Sequence, residues 1–267
     1  MIHVPTISIL TPTFNRAGTF LSETIRFIQK QYEKGFTHEH IIVDNASEDN
    51  TEEIVRGFMK EDSRIKYIRN EKNLYASGAL NVAFEHSVGE IIVPFDDDDI
   101  MPALSLQARF DSLHNPKVQW SSGHAFFMDY DRRLRGPESR FFEYSSNARP
   151  FLDENNELAD PDRFFLSFFC KWMVCGGTVT IRRQCIEQVG GWEPTYQTSQ
   201  DNDMWIKLAH ARFHYKLAND YLFFYREHKE QSSARNSRNG KWKEVGSLLR
   251  EKYGITDEIL AAAGISK

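Results

Sequence analysis

The first hundred residues alternate between two hydrophobic periods. The run TISILTP, Thr6–Pro12, has the character of a buried strand. Beyond Asn15-Arg16-Ala17-Gly18, the apolar positions Leu21, Ile25, Ile28 and Tyr32 recur at helical spacing, with Gly35 placed to end that helix. HIIVDN, His40–Asn45, predicts a second strand. The helix after it has Ile54, Val55, Phe58 and Met59 on one face, Thr51 as its cap, and Glu52 and Glu53 in its first turn. Ile65–Asn70 predicts a third strand, Ser77–Val88 a helix ended by Gly89, and Glu90–Phe95 a fourth strand that runs into Asp96-Asp97-Asp98-Asp99. Strand and helix alternating in this way predict an α/β, Rossmann-like, mostly parallel sheet flanked by helices. Ligands of such sheets sit beyond the carboxyl ends of the strands. Here those ends carry Thr13 and Asn15, Asp44 and Asn45, Asn70, and the four aspartates.

The later pattern is less regular. Leu104–Leu113, Arg182–Val189 and Gln200–Ala211 read as helices, Trp120–Tyr130 as a strand, and Pro150–Asp162 as an acidic loop. Residues 226–243 hold six Arg or Lys against two Glu, with many Ser and Asn, and read as a mobile basic segment. Thr256–Ala263 predicts a short terminal helix. This divides the chain into a catalytic domain over 1–230 and a basic segment with a helical tail over 231–267.

Composition narrows the class. The 267 residues are 40% hydrophobic and 27% charged, the profile of a globular protein. A net charge of −5 gives no reason to expect a nucleic-acid partner. Cys170, Cys175 and Cys185 lack metal-type spacing and suit a reducing cytoplasm as buried small side chains. There is neither a signal-peptide pattern nor an apolar run of ~20 residues that would span a membrane. The expected location is therefore cytoplasmic, with peripheral contact at the inner face of the membrane left open.

The aspartate run is the main chemical signal. Carboxylates so close stay ionised at modest cost only around a cation, and hard ions such as Mg2+ or Mn2+ prefer oxygen ligands. Asp44 suits hydrogen bonding to a nucleobase or ribose, and equally a turn-and-cap role. Asp201, two residues after Ser199, falls in a helix first turn if Ser199 is the cap; the dipole then favours its ionised form, as a general base needs. His228, beside Arg226 and Lys229, reads as a surface or structural residue or as a phosphate contact. Neither G-x-G-x-x-G nor G-x-x-x-x-G-K-[ST] occurs, which argues against dinucleotide enzymes and P-loop NTPases.

Taken in order, SILTPTFNR (Ser8–Arg16), VDNASEDNT (Val43–Thr51), NEKNLYASGALNVAFEHSVGEIIVPFDDDD (Asn70–Asp99), VGGWEP (Val189–Pro194), QDNDMWIKLA (Gln200–Ala209) and YREHKEQSS (Tyr225–Ser233) resemble glycosyltransferase family 2 over about residues 5–233. The resemblance implies a GT-A fold and inverting transfer from a nucleotide diphosphate sugar, UDP-sugar favoured, to a saccharide or lipid-linked saccharide acceptor. It places Thr11, Pro12, Thr13 and Asn15 at the base pocket, Asp44 on the base, Asp96 on the ribose and Asp97 beside it. Asp98 and His228 fall at a Mn2+ or Mg2+ ion, and Asp201 at the general base. Three departures stand out: Gln200 replaces the usual Glu before Asp201, Leu80 replaces the Arg of A-R-N, and the Q-x-x-R-W motif of processive synthases is absent. Single transfer is expected. The apolar segment Phe164–Val174 reads as a core helix or as an apolar wall of the acceptor site; in the second case Gly176, Gly177 and Thr178 line the acceptor side. Two competing readings are a sugar-nucleotide nucleotidyltransferase, which lacks its Gly-rich basic loop here, and a non-catalytic nucleotide-sugar-binding module. Oligomeric state is not legible.

Overall fold

The computed structural model describes residues 7–18, 20–131, 133–135, 146–229, 231 and 241–265. Strands β1 (Ile7–Thr13), β2 (His38–Asp44), β3 (Ile65–Arg69) and β4 (Ile91–Pro94) alternate with helices α1 (Leu21–Gln29), α2 (Thr51–Glu61) and α3 (Tyr75–Glu85). Helix α4 (Ser105–Ser112) follows, then strands β5 (Trp120–Met128) and β6 (Leu134–Arg135), helix α5 (Pro161–Ser167), strand β7 (Thr180–Arg182) and helices α6 (Arg183–Val189) and α7 (Gln200–His210). Strand β8 (Tyr215–Arg226) and helices α8 (Lys241–Lys252) and α9 (Asp257–Ala262) complete the order.

One sheet runs in the order β3-β2-β1-β4-β7-β5-β6, with β8 beside β5. Strands β1 to β4 are mutually parallel, and β8 is parallel to β5; β7 joins the two halves through antiparallel pairs. The register sets Thr13 opposite Asp44, and Asp44 opposite Arg69. The carboxyl ends of three strands thus share one edge, as alternation of the elements predicts.

Helix α1 is shorter than its apolar spacing suggests, and Tyr32 is 52% exposed. The Gln31 amide donates to the carbonyls of Phe27, Met101 and Pro102, and Tyr32 N–H bonds Ala103 O, so the chain leaves the helix to brace the 101–103 loop. Strand β8 has no counterpart in the hydrophobic pattern because Asn219-Asp220 reads as a turn. The structure carries it through by register shifts opposite Ser122–Ala125, where the bare Gly123 lets Leu222 and the Asp220 carbonyl approach. Within Phe164–Val174 the helix is only α5, started by Asp160 as a cap and Pro161 after it. Phe164, Phe165, Phe168, Met173 and Val174 are buried, and Trp172 stays half exposed.

Residues 241–243, expected in the mobile segment, form the first turn of α8. Residues 230 and 232–240 of that segment lie outside the described residues. Helices α8 and α9 dock on the domain: Arg250 donates to Phe169 O, Arg163 to Ala263 O, and Tyr253 packs on Phe165, Phe169 and His210. The main core centres on Trp120, which stacks on Trp205 of α7 with ring centroids 6.2 Å apart and packs on Tyr215. Trp205 is 2% exposed, so Trp205→Ala is expected to destabilise by ~3–5 kcal/mol, read by urea denaturation. Because α7 also begins the acidic site, that anchor fixes the site as well as the core.

Candidate active site

The strand ends converge on a crevice floored by the aspartate run. After Pro94 the chain is held by Phe95 N–H to Leu10 O, and the Thr24 hydroxyl bridges the carbonyls of Asp97 and Asp99. Thr13 Oγ1 donates to Asp97 Oδ2 at 2.6 Å, and Arg16 Nε lies 3.4 Å from Asp97 Oδ1. Asp98 Oδ2 receives Arg16 Nη2 at 3.1 Å and lies 3.0 Å from His228 Nε2. Asp99 turns away from solvent and accepts Arg226 N–H at 2.8 Å. Asp96 alone of the four is exposed, though its carboxyl is closely surrounded by protein.

Burial pushes the Asp97 carboxyl up to about 7, aided by the neighbouring Asp98 charge and opposed by Arg16. Burial likewise raises Asp96 well above the usual carboxylate range, with Asp201, Asp98 and Asp97 adding repulsion. Asp99 is raised by burial and by Asp98 and Asp96. Carboxyls packed this closely disfavour one another's ionised form unless a cation sits among them.

Asp201 stands in the first turn of α7 beside Gly176, and its charge helps to raise the Asp96 carboxyl. Burial pushes its carboxyl up to about 6. The expected stabilisation by a capped helix end is therefore corrected. Ser199 takes the left-handed conformation at φ 60° and makes no side-chain cap bond, so desolvation outweighs the helix dipole. Asp203 points the other way, fully buried, with Lys207 Nζ at 2.9 Å and Lys252 Nζ at 3.4 Å.

Several expected placements change. Asp44 is fully buried: Oδ1 accepts Ser47 N–H at 2.8 Å, while Oδ2 takes the Tyr67 hydroxyl at 2.6 Å and Arg69 Nη1 at 3.2 Å. These are the contacts of a turn residue tied to the neighbouring strand. Thr11 is buried against His40 Nε2 at 2.9 Å, on the sheet rather than in the crevice. Pro12 is half-buried and Asn15 exposed; Asn15 spends its carbonyl oxygen on Glu48 N–H. Gly177 and Thr178 are buried, and the Thr178 hydroxyl donates to Cys175 O at 2.7 Å. Gly176 remains partly open beside Asp201, where a Cβ would stand 2.6 Å from Oδ2.

A match to the sequence profile of glycosyl transferase family 2 covers residues 8–190. The chain belongs to that family. This family 2 glycosyltransferase is 23% identical over 223 residues to an uncharacterized glycosyltransferase of Methanocaldococcus jannaschii, covering 83% of this chain and 71% of that one. It is 32% identical over 118 residues to the Escherichia coli UDP-Glc:α-D-GlcNAc-diphosphoundecaprenol β-1,3-glucosyltransferase WfgD, 44% of this chain and 45% of that one. A Pyrobaculum calidifontis mannosyltransferase, solved with GDP-Man and Mn2+, superposes with a TM-score of 0.67 at 20% identity over 89% of this chain. The likeness places the fold among GT-A glycosyltransferases. The chain spans 61% of that mannosyltransferase.

Two side chains of the glycosyltransferase that sequence reasoning passed over shape the crevice. Arg16 follows Asn15 directly and engages two of the aspartates. Phe20 stands between Arg226, whose guanidinium lies 4.2 Å from its ring centre, and His228 at 4.8 Å. Arg226 is itself paired with Glu23 at 2.8 Å. No spacing rule singles out Phe20, because its partners lie two hundred residues away. Leu80, in the place of the family's Arg, is buried on α3 and belongs to the core. Non-glycine residues with left-handed backbone gather at this edge, at Asn15, Ala46, Tyr75 and Ser199, a form of stored strain common at functional sites.

Among the described residues, no group of three or more His, Cys, Asp or Glu side chains is arranged to hold a metal ion. Asp98 Oδ2 and His228 Nε2, 3.0 Å apart, nevertheless offer one oxygen and one nitrogen at a single point. That donor pair fits an ion which takes few protein ligands and completes its shell with water and substrate phosphates.

Proposed function

We propose that the chain is a metal-dependent, inverting, non-processive glycosyltransferase of the hexosyl type. It moves a sugar from a nucleotide diphosphate donor, UDP-sugar favoured, to a saccharide or lipid-linked saccharide in cell-surface polysaccharide or glycan synthesis. The observation that carries this reading is the meeting of Arg16, Asp98 and His228 beyond the carboxyl ends of the parallel strands of a family 2 chain. The UDP-Glc donor and diphosphoundecaprenol-linked acceptor named for the Escherichia coli relative support the donor and acceptor classes. The Mn2+ of the Pyrobaculum mannosyltransferase complex supports the ion.

In this reading Asp96 and Asp97 face the donor, and Asp98 and His228 hold Mn2+ or Mg2+. Bound there with the donor phosphates, the ion supplies Lewis-acid neutralisation of the departing diphosphate. Arg16 adds a fixed positive charge on the same side. Asp201 takes the proton of the acceptor hydroxyl as that oxygen attacks the anomeric carbon from the face opposite the leaving group. The open edge of Gly176 borders the acceptor. Among the described residues no helix is long and apolar enough to cross a membrane. In this reading a lipid-linked acceptor is met by peripheral contact at the membrane surface.

A thermal-shift screen of UDP-, GDP- and dTDP-sugars with Mn2+ tests the reading. One nucleotide class is expected to stabilise the protein, by ~2.7 kcal/mol at a ligand concentration a hundred times Kd. Nucleoside diphosphate, not pyrophosphate, is the expected product. Absence of any shift, or release of pyrophosphate, would overturn it.

A further inference from the structure

Arg109 lies on α4, fully buried, and makes no ion pair with a carboxylate among the described residues. A guanidinium taken out of water is costly unless its donors are matched. Here main-chain carbonyls match them. Nη1 donates to Val179 O at 2.7 Å and lies 3.4 Å from Thr180 Oγ1; Nη2 donates to Gly177 O and, at 3.3 Å, to Leu222 O. Nε donates to Ser105 Oγ at 3.0 Å, and that hydroxyl in turn donates a hydrogen bond to Leu222 O at 2.8 Å. One fork therefore joins α4, the 176–180 turn and β8.

The turn it secures carries Gly176 and Gly177. Each glycine is bare because another side chain occupies the space of its missing Cβ: Asp201 at Gly176, and the Phe223 ring at Gly177. A Cβ on Gly176 would lie 2.6 Å from Asp201 Oδ2 and 3.3 Å from its Cγ. Helix α7 fixes Asp201 from one side, and the turn confines its carboxyl from the other. An apolar side chain could fill the volume of Arg109, but only a planar fork can hold several carbonyls at once.

We infer that Arg109 is a positioning residue: by tying the 176–180 turn to α4 and β8, it sets Gly176 as the backstop that orients the Asp201 carboxyl. This rests on the reading of Asp201 as the general base. The experiment measures nucleoside diphosphate release and donor affinity, with Mn2+, for the wild type, Arg109→Met, Arg109→Lys and Gly176→Ala. Arg109→Met and Gly176→Ala are expected to lose ~10- to 100-fold in turnover, the scale of an ångström misplacement of a reacting group. Donor Kd should stay within ~3-fold, since the strand-end crevice is untouched, and Arg109→Lys should fall between. Should Arg109→Met fail to fold, Arg109→Lys decides: reduced turnover with donor affinity kept supports the inference. Wild-type turnover in Arg109→Lys or Gly176→Ala, or parallel loss of affinity and turnover, overturns it. A wild-type protein that releases no nucleoside diphosphate overturns the general-base reading instead.

Discussion

Asp201→Asn is expected to lower turnover by ~100- to 10,000-fold, the usual loss on removing a general base, while leaving donor affinity near its wild-type value. The asparagine keeps the size of the side chain beside Gly176 but cannot take a proton. The same carboxyl sets the acid limb of the wild-type rate. A base works ionised, and burial holds Asp201 up to about 6, so turnover should fall as pH drops through that value and level off above it. Asp203→Asn gives the contrast. It leaves Lys207 and Lys252 around a neutral amide at a fully buried position, so melting temperature should fall more than turnover per folded molecule. Rates measured beside donor titrations separate the two variants. If the asparagine at 203 silences the enzyme and that at 201 does not, the base has been misassigned.

Asp98→Asn should remove at least ~100-fold of the activity, because each 1.36 kcal/mol of lost stabilisation of the leaving group is a factor of ten. The fold should survive, since Asp98 sits in the crevice rather than the core and its polar contacts are with Arg16 and His228. Chelation with EDTA should have the same effect on the wild type, with recovery on adding Mn2+. Full activity in EDTA would refute the metal reading, as would Mn2+ titration heats in the variant equal to those of the wild type.

The first half of the fold was legible because its signals are local. Strands β1 to β4 are apolar runs bounded by polar turns, and the helices between them repeat at helical spacing. Register then brought Thr13, Asp44 and Arg69 to one edge without further information. The crevice was legible in part. Asp96, Asp97, Asp98, Asp201 and His228 come together, although residues 98 and 228 are far apart in sequence. What the pattern could not reveal was orientation. A strand-end aspartate can face a ligand or its own turn, and the pattern does not show that Ser47, Tyr67 and Arg69 all reach Asp44. Thr178 likewise looked available until its hydroxyl met the Cys175 carbonyl. Strand β8 was hidden by Asn219-Asp220, a pair that resembles a turn but is absorbed by an irregular register. Helix α8 was missed because its sequence is highly charged and only Val245 and Leu249 are buried along it.

The pairing of Asp203 with Lys252 has a consequence for the order of synthesis. Domains generally form as units while the amino-terminal part emerges first. Strands β1 to β4 and α7 are complete once residue 210 has left the ribosome, and of the two lysines that pair with Asp203 only Lys207 is then present. Its second partner lies in α8, more than forty residues later, and reaches it only when that helix docks beside Phe169. Until α8 docks, that carboxylate has one of its two lysine partners. Docking of α8 therefore completes the charge pairing of the helix that carries Asp201.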